Sequence, residues 1–346
     1  MKMQNERELV LVTGGSGYIA VNIILQLLEK GYAVRATLRN MTRQNEVKTM
    51  LRNGGLSNFS DLTFVRTDLS SDEGWTAAMK NVTYVMHVAS PTPATTMQTK
   101  DEIIQPAVDG VLRVYRAAKL AGVKRIVLTS AFGAVGMGTA KTGPYTEEDW
   151  TDITNTEHSY QISKTAAERA AWQFIAEHGG DMEMTAINPV GVMGPILGKD
   201  FSHSNQTVRQ MLSGEMRRVP KLSSGYVDVR DVATLHILAM ENPAANGERF
   251  LATTGETLSM AEVAGILKKH FGVRANKVST KEIPNWLLRL IAHLSSSSQL
   301  KMVATLLGKN MTTTNRKAAT LLGWHPRAAE TAIVATAQGL IEQQIV

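Results

Sequence analysis

The chain has 346 residues, 43% apolar and 20% charged, the balance of a globular protein with room for one large α/β domain and a smaller appendage. It holds no cysteine, which excludes disulfides, thiolate nucleophiles, zinc–sulfur sites and cysteine-held iron–sulfur clusters, and which suits a reducing compartment. The net charge of +6 is spread along the chain rather than blocked, so it implies a basic surface that attracts a small anion and no nucleic-acid partner.

The opening MKMQNEREL is polar and does not read as a signal peptide. No later stretch approaches about 18 uninterrupted apolar residues, so no membrane span is expected and the protein reads as cytoplasmic. In chain order, strand patterns fall at Leu9–Val12, Ala33–Leu38, Leu62–Arg66, Val82–Val88, Arg125–Ser130 and Glu183–Asn188. Helical patterns lie between them at Tyr18–Leu28, Ser71–Met79, Lys100–Ala121 and Ser159–His178. Strands that alternate with helices predict an α/β fold, a doubly wound parallel sheet covered on both faces. After Pro189 the texture changes. Residues 191–225 are rich in Gly, Ser, Pro and Met, with a helix pattern near Thr207–Ser213. A strand and helix follow at Gly225–Met240, then a strand at Arg249–Ala252; from Leu258 the pattern is mainly helical, broken by a serine run, Ser295–Ser298, that reads as a loop. These shifts divide the chain into a dinucleotide-binding domain, residues 1–190 plus about 225–252, and a smaller, mostly helical substrate domain, about 191–224 and 253–346, with a cleft between them.

The first strand runs into Thr13-Gly14-Gly15-Ser16-Gly17-Tyr18-Ile19-Ala20 and then a helix. Gly15, Gly17 and Ala20 fit G-x-G-x-x-G/A. Small residues permit a tight turn and close backbone approach to a pyrophosphate, and the helix N-terminus offers unpaired N–H groups to the anion. The second strand ends in Arg39-Asn40, where an NAD-binding fold carries an acid for the ribose 2′-hydroxyl; the nearest downstream carboxylate is Glu46. Arg39 and Arg43 instead suit a 2′-phosphate, so NADP(H) is the expected cofactor.

Tyr160-Gln161-Ile162-Ser163-Lys164 places a phenol and an ammonium at i and i+4 on one helix face. Reduction of a carbonyl needs a proton donor at oxygen, and a neighbouring ammonium lowers the pKa of a tyrosine to make it one. The spacing alone is weak, because Tyr115 and Lys119 repeat it. Position separates the two. Tyr115 lies mid-helix before the fifth strand and reads as packing, whereas Tyr160 follows that strand and opens the next helix, near the strand ends where such folds bind ligands.

With these motifs in place the chain resembles the extended short-chain dehydrogenase/reductase superfamily, a Rossmann fold, and within it the dihydroflavonol reductase-like branch of aldehyde and ketone reductases. The resemblance also rests on VRATLRN at 34–40, HVASPT at 87–92, PAVDGV at 106–111, KRIVLTS at 124–130, NPVGVMGP at 188–195, YVDVRDVA at 226–233 and LGWHPR at 322–327. It implies that Gly14, Gly17, Tyr18 and Ile19 meet the cofactor phosphates and that Asp68 and Leu69 flank the adenine. It further implies that Val88, Ala89, Ser90 and Thr129 line the cofactor path, that Lys164 also holds the nicotinamide ribose, and that Pro189 and Val192 lie near the nicotinamide. The implied reaction is NADPH-dependent reduction of a small carbonyl substrate with Tyr160 as acid, by a monomer or homodimer.

One departure matters. Relatives read Thr-Ser-Ser after the fifth strand and use the second serine to bind the carbonyl; here the run is Thr129-Ser130-Ala131. Neighbouring side chains on a strand point to opposite faces, so either Ser130 is rotated into the catalytic role, or another donor serves, or Tyr160 works alone. The eight histidines show no metal-ligand spacing and no metal is expected; His87 reads as core and His158 as a possible substrate contact. Glu147, Glu148, Asp149 and Trp150 read as a solvated loop, and the Met-containing stretch from Val192 to Met211 as the substrate side. Two other classes compete: a nucleotide-sugar epimerase or dehydratase, which usually needs an acid where Arg39 stands, and a non-enzymatic NADP-binding protein, which tends to lose the Tyr/Lys pair.

Overall fold

The computed structural model describes residues 7–91, 99–136, 141–154, 156, 158–199, 201–295 and 298–346. Its strands are β1 (Leu9–Val12), β2 (Ala33–Leu38), β3 (Leu62–Arg66), β4 (Tyr84–His87), β5 (Arg125–Thr129), β6 (Glu183–Pro189), β7 (Gly191–Met193), β8 (Ser223–Asp228), β9 (Arg249–Ala252) and β10 (Thr257–Ser259). The helices are α1 (Tyr18–Glu29), α2 (Gln44–Asn53), α3 (Trp75–Met79), α4 (Lys100–Leu120), α5 (Ser159–Phe174), α6 (His203–Ser213), α7 (Val229–Glu241), α8 (Met260–Phe271), α9 (Asn285–Leu294), α10 (Ser298–Leu306), α11 (Arg316–Leu322) and α12 (Ala329–Glu342).

Seven strands form one parallel sheet in the order β3-β2-β1-β4-β5-β6-β9. The order reverses between β1 and β4, and such a switch point opens a crevice at the carboxyl ends of the strands. Both faces are covered, as continuous apolar strands require. Val10 and Val12 face one core with Ile23 and Leu27 of α1 and Val232 and Leu235 of α7. Leu11, between them, faces the other with Val114 and Tyr115 of α4 and Ala171 of α5. The alanines of α5 let it lie close against α4.

A second, three-stranded sheet has the order β10-β8-β7. The strand at 223–228, grouped by sequence with the dinucleotide-binding residues, pairs here with β7 and β10. A third core joins Met193, Val208 and Met211 to Val263 and Leu267 of α8 and Ile333 and Leu340 of α12. Tyr18, in the first turn of α1, packs against both the first and the third core. Met193 and Met211, expected to line the substrate side, are thus shut inside this core.

Several boundaries differ from expectation for local reasons. Helix α3 starts at Trp75 rather than Ser71, because the Asp68 carboxylate ties back the Ser70 amide and hydroxyl and the Trp75 indole bonds the Asp68 and Ser71 carbonyls. Helix α6 starts at His203, with the Ser202 hydroxyl accepting from the Asn205 amide. Helix α2 lies between β2 and β3, where no helix is expected from sequence; it buries only Val47, Met50 and Leu51. Of the serine run read as a loop, Ser296 and Ser297 lie outside the described residues and Ser298 opens α10. Among the described residues no helix is long and apolar enough to cross a membrane.

Candidate active site

The glycine turn is fastened to two strand ends. The Gly15 amide donates to the Thr37 carbonyl (2.9 Å) and the Gly14 amide to the Thr37 hydroxyl (3.2 Å), at the end of β2. On the β4 side, the Thr13 hydroxyl accepts from the Val88 and Ala89 amides (3.0 and 2.9 Å), which leaves its proton for Nδ1 of His87 (2.9 Å). That bond needs a neutral imidazole, and burial, with the Lys164 charge adding to it, pushes His87 down to about 3. His87 is a core residue, as its strand predicts. Gly14 has φ +66°, a conformation that favours glycine, and a Cβ on Gly15 would stand 2.7 Å from the Ala36 Cβ. Close approach of α1 to β2 therefore demands the glycine, and it brings the first turn of α1, with Tyr18 and Ile19, over the strand ends.

Arg39 and Arg43 flank this turn. Among the described residues Arg39 has no hydrogen-bond or ion-pair partner and is exposed. Arg43 donates to the Ser16 hydroxyl (2.9 Å) and, in a fork, to both oxygens of Glu46 (2.8 and 2.9 Å). The first downstream carboxylate is thereby tied up holding a guanidinium. The Ser70 bonds, with the Arg39 and Arg113 charges behind them, hold Asp68 below the usual carboxylate range. Leu69 and Pro91 crowd Gly110 of α4, where a Cβ would meet them at 3.4 and 3.2 Å. Asp68, Leu69, Val88, Ala89 and Ser90 are all partly exposed.

Tyr160 sits in the first turn of α5, 49% exposed, with its ring edge against Gly133: a Cβ there would lie 3.4 Å from Cε1. Lys164 projects one turn deeper, and its Nζ reaches the Thr129 carbonyl (3.3 Å) at the end of β5. Burial pushes Lys164 down to about 8, opposed by the Glu168 carboxylate, and the surrounding protein raises the Tyr160 phenol. Tyr115 and Lys119, the same spacing on α4, are otherwise engaged. Tyr115 is fully buried against Phe174, and Lys119 donates to the Gly179 carbonyl (2.7 Å).

Strand alternation carries through the residues after β5. Thr129 turns its hydroxyl to Nε2 of His236 on α7 (2.7 Å), whereas Ser130 turns toward α5 and donates to the Glu168 carboxylate. The Ser130 hydroxyl is thus committed to Glu168, and Ala131 brings no hydroxyl of its own. Ser130, Lys164 and Glu168 line a small pocket, with a volume of ≈ 20 Å³, together with His87, Ser90 and Val111. Pro189 and Val192 are buried where β6 leaves the sheet for β7, and the Val192 carbonyl accepts from the Ser202 hydroxyl (2.7 Å).

Other residues stand apart from their sequence reading. Only Glu148 of the acidic loop is solvated: the Glu147 carboxylate accepts from the Leu251 amide (3.0 Å), Asp149 caps the Thr146 amide (2.7 Å), and Trp150 lies 3.8 Å under the Arg249 guanidinium. His158, considered as a substrate contact, bonds Thr305 of α10 through Nε2 (2.9 Å). Thr13 and Thr37 lie inside quoted motifs but were given no role of their own, and Glu168 and Arg249 lie in none; the available signal for Glu168 was that it continues the Tyr160–Lys164 face at i+8.

A family model described as the NAD dependent epimerase/dehydratase family matches residues 10–252. The chain belongs to that family, whose members are extended short-chain dehydrogenases/reductases. The match takes in both glycine-turn anchors, Tyr160, Lys164 and, but for Leu9, every strand of the large sheet, and ends before α8. Within the family, the chain is 37% identical over 267 residues to cinnamoyl-CoA reductase 1 of Arabidopsis thaliana, covering 76% of this chain and 74% of that one. It is 33% identical over 251 residues to dihydroflavonol 4-reductase of Zea mays, covering 70% and 69%. Among solved structures, yeast methylglyoxal/isovaleraldehyde reductase Gre2, complexed with NADPH, aligns with a TM-score of 0.78 at 26% identity over 98% of this chain and all of that one.

Proposed function

We propose that this family member is an NADPH-dependent reductase that turns an aldehyde or ketone into an alcohol. The observation that carries the reading is the Tyr160–Lys164 pair, one turn apart with Lys164 at the end of β5, on the same sheet whose β2 and β4 pin the glycine turn. The reductases among its relatives support it. Arg39 argues against the epimerase reading, because an exposed guanidinium and not a carboxylate follows β2.

The residues fit NADPH. The Gly14 conformation and the Gly15 contact leave a cradle without side chains at the start of α1. Gly14, Gly17, Tyr18 and Ile19 would hold the pyrophosphate there, and Arg39, flanked by Arg43, the 2′-phosphate. Asp68 and Leu69 would take the adenine end, and Val88, Ala89, Ser90 and Thr129 the path toward Lys164, which would bind the nicotinamide ribose. Pro189 and Val192 would back the nicotinamide. Bound NADPH supplies the hydride.

The chain's own residues manage the proton. Tyr160 donates its phenolic proton to the carbonyl oxygen as negative charge gathers there. The protein around Tyr160 raises its pKa, so a phenolate forms readily only beside a cation. Lys164 is that cation. Ser130 serves indirectly, through Glu168, and Tyr160 is the side-chain donor at the carbonyl. The test follows NADPH oxidation with a panel of aldehydes, ketones and diketones. Tyr160→Phe is expected to abolish turnover and keep NADPH affinity near that of the parent; an active Tyr160→Phe variant would sink this reading. Activity is also expected to fall above about pH 8, as Lys164 loses its proton.

A further inference from the structure

The geometry points to Glu168 as a positioning residue of this site, whose buried carboxylate keeps Lys164 charged and locks the ends of three strands to the helix that bears Tyr160. The role rests on the reductase reading of Tyr160 and Lys164. Helix α5 presents Tyr160, Lys164 and Glu168 on successive turns. Glu168 is fully buried and takes donors from four elements. These are the Ser130 hydroxyl after β5, Asn188 Nδ2 of β6 (2.8 Å), Arg249 Nε of β9 (2.6 Å) and the Trp172 indole of α5 (3.3 Å). Arg249 in turn grips the Glu147 and Asp149 carbonyls (2.6 and 2.8 Å), in the loop ahead of the catalytic helix. A buried ion pair is weak evidence for stability, because desolvation offsets the attraction. Here the pair is placed where it fixes geometry: β5, β6, β9, the 147–149 loop and α5 meet on one carboxylate.

The same carboxylate shares the pocket wall with Lys164. Among the described residues, the groups around Lys164 are the neutral His87 of β4, the Thr129 carbonyl of β5, Tyr160 and Glu168 of α5, and, beyond Glu168, the Arg249 cation of β9. Of these, Glu168 is the one that favours the ammonium by its charge. Without it, the buried Arg249 guanidinium loses its carboxylate and Lys164 the anion that favours its charge.

The test compares the parent with Glu168→Gln, Glu168→Asp and Glu168→Gln combined with Arg249→Met, the last removing the guanidinium that the single change strands. Two readouts are used: the alkaline limb of kcat/KM for a carbonyl substrate, and the ionisation of Lys164 followed by NMR on isotope-labelled, reductively methylated lysines, without substrate. Glu168→Gln is expected to move both to lower pH by about one pH unit. That shift is a roughly tenfold loss of activity on the alkaline side, with little loss at pH 6, where Lys164 stays charged. The double variant is expected to shift in the same direction, and Glu168→Asp, which keeps the charge, to hold the parent's limb. A Lys164 titration unmoved in the soluble neutral variants, or moved equally by Asp, overturns the role. Failure of the reductase reading looks different: a parent without carbonyl reduction, or one indifferent to Tyr160→Phe, whatever Lys164 does.

Discussion

Two residues beside the Tyr160–Lys164 pair can each be probed singly. Arg39 is exposed and, among the described residues, without a hydrogen-bond or ion-pair partner just past β2, so Arg39→Asp is expected to weaken NADPH binding by more than tenfold and to leave NADH nearly unchanged, since a bidentate charged contact to phosphate is lost and repulsion takes its place. Fluorescence titration with the two cofactors checks it, and equal movement of both affinities would remove Arg39 from the 2′-phosphate site. Ser130 gives the complementary case. Its hydroxyl is bound to Glu168, so Ser130→Ala is expected to lower kcat by less than tenfold, short of the about 10²–10³ that a lost oxyanion donor costs. A hundredfold fall would put that hydroxyl on the substrate. Tyr160 and Lys164 were legible in the sequence because their relation is local, one helical turn. The partner of Ser130 was not: Glu168 meets Arg249 across 81 residues, and no local pattern announces a contact between the third turn of a helix and an edge strand.

Elements were legible in proportion to their apolar content. Strands β1, β2 and β3 fall where the alternation and turn signals put them, since each is an apolar run between polar breaks. Helix α2 escaped because seven of its ten residues are not buried, and β7 and β10 because three residues carry no period. The contact of α1 with β2 makes a sharp prediction: Gly15→Ala puts a methyl 2.7 Å from Ala36 and is expected to destabilise the fold by about 1–3 kcal/mol, read as a lower urea midpoint. The strand and helix flanking β5 make another. His87 of β4 and His236 of α7 are buried neutral, pushed down to about 3 and about 4. The unfolded chain takes up these protons near pH 6.5 and the folded one does not, so stability falls as pH drops from about 6.5 toward 4, by about 1.4 kcal/mol per pH unit for each histidine. Urea midpoints at descending pH measure the slope, and His236→Gln is expected to remove about half of it.

At the scale of the molecule, the helices beyond the family match return to both halves. Leu322 and Trp324, in and after α11, pack into the core of the large sheet, where the Trp324 indole donates to the Asp231 carbonyl of α7 (2.9 Å) and Arg327 pairs with the Asp231 carboxylate. Helix α12 packs into the smaller core, and Thr336 ties it to Gly194 (2.7 Å) just past β7. Trp324→Ala is expected to cost about 3–5 kcal/mol and to lower the denaturation midpoints of both halves together, since one core loses its lid and the adjoining one its anchor. Separate transitions for cofactor-site and C-terminal probes would contradict that coupling.

This arrangement has a consequence for the order of events during synthesis. The sheet that cradles the cofactor is complete in sequence at Ala252, yet the residues that seal one of its faces are among the later ones to leave the ribosome. A nascent chain carrying the whole glycine turn and both Tyr160 and Lys164 therefore still lacks Trp324 over α7 and Thr336 beside β7. The residues proposed for the site are thus complete in sequence before those that seal the cores beneath them.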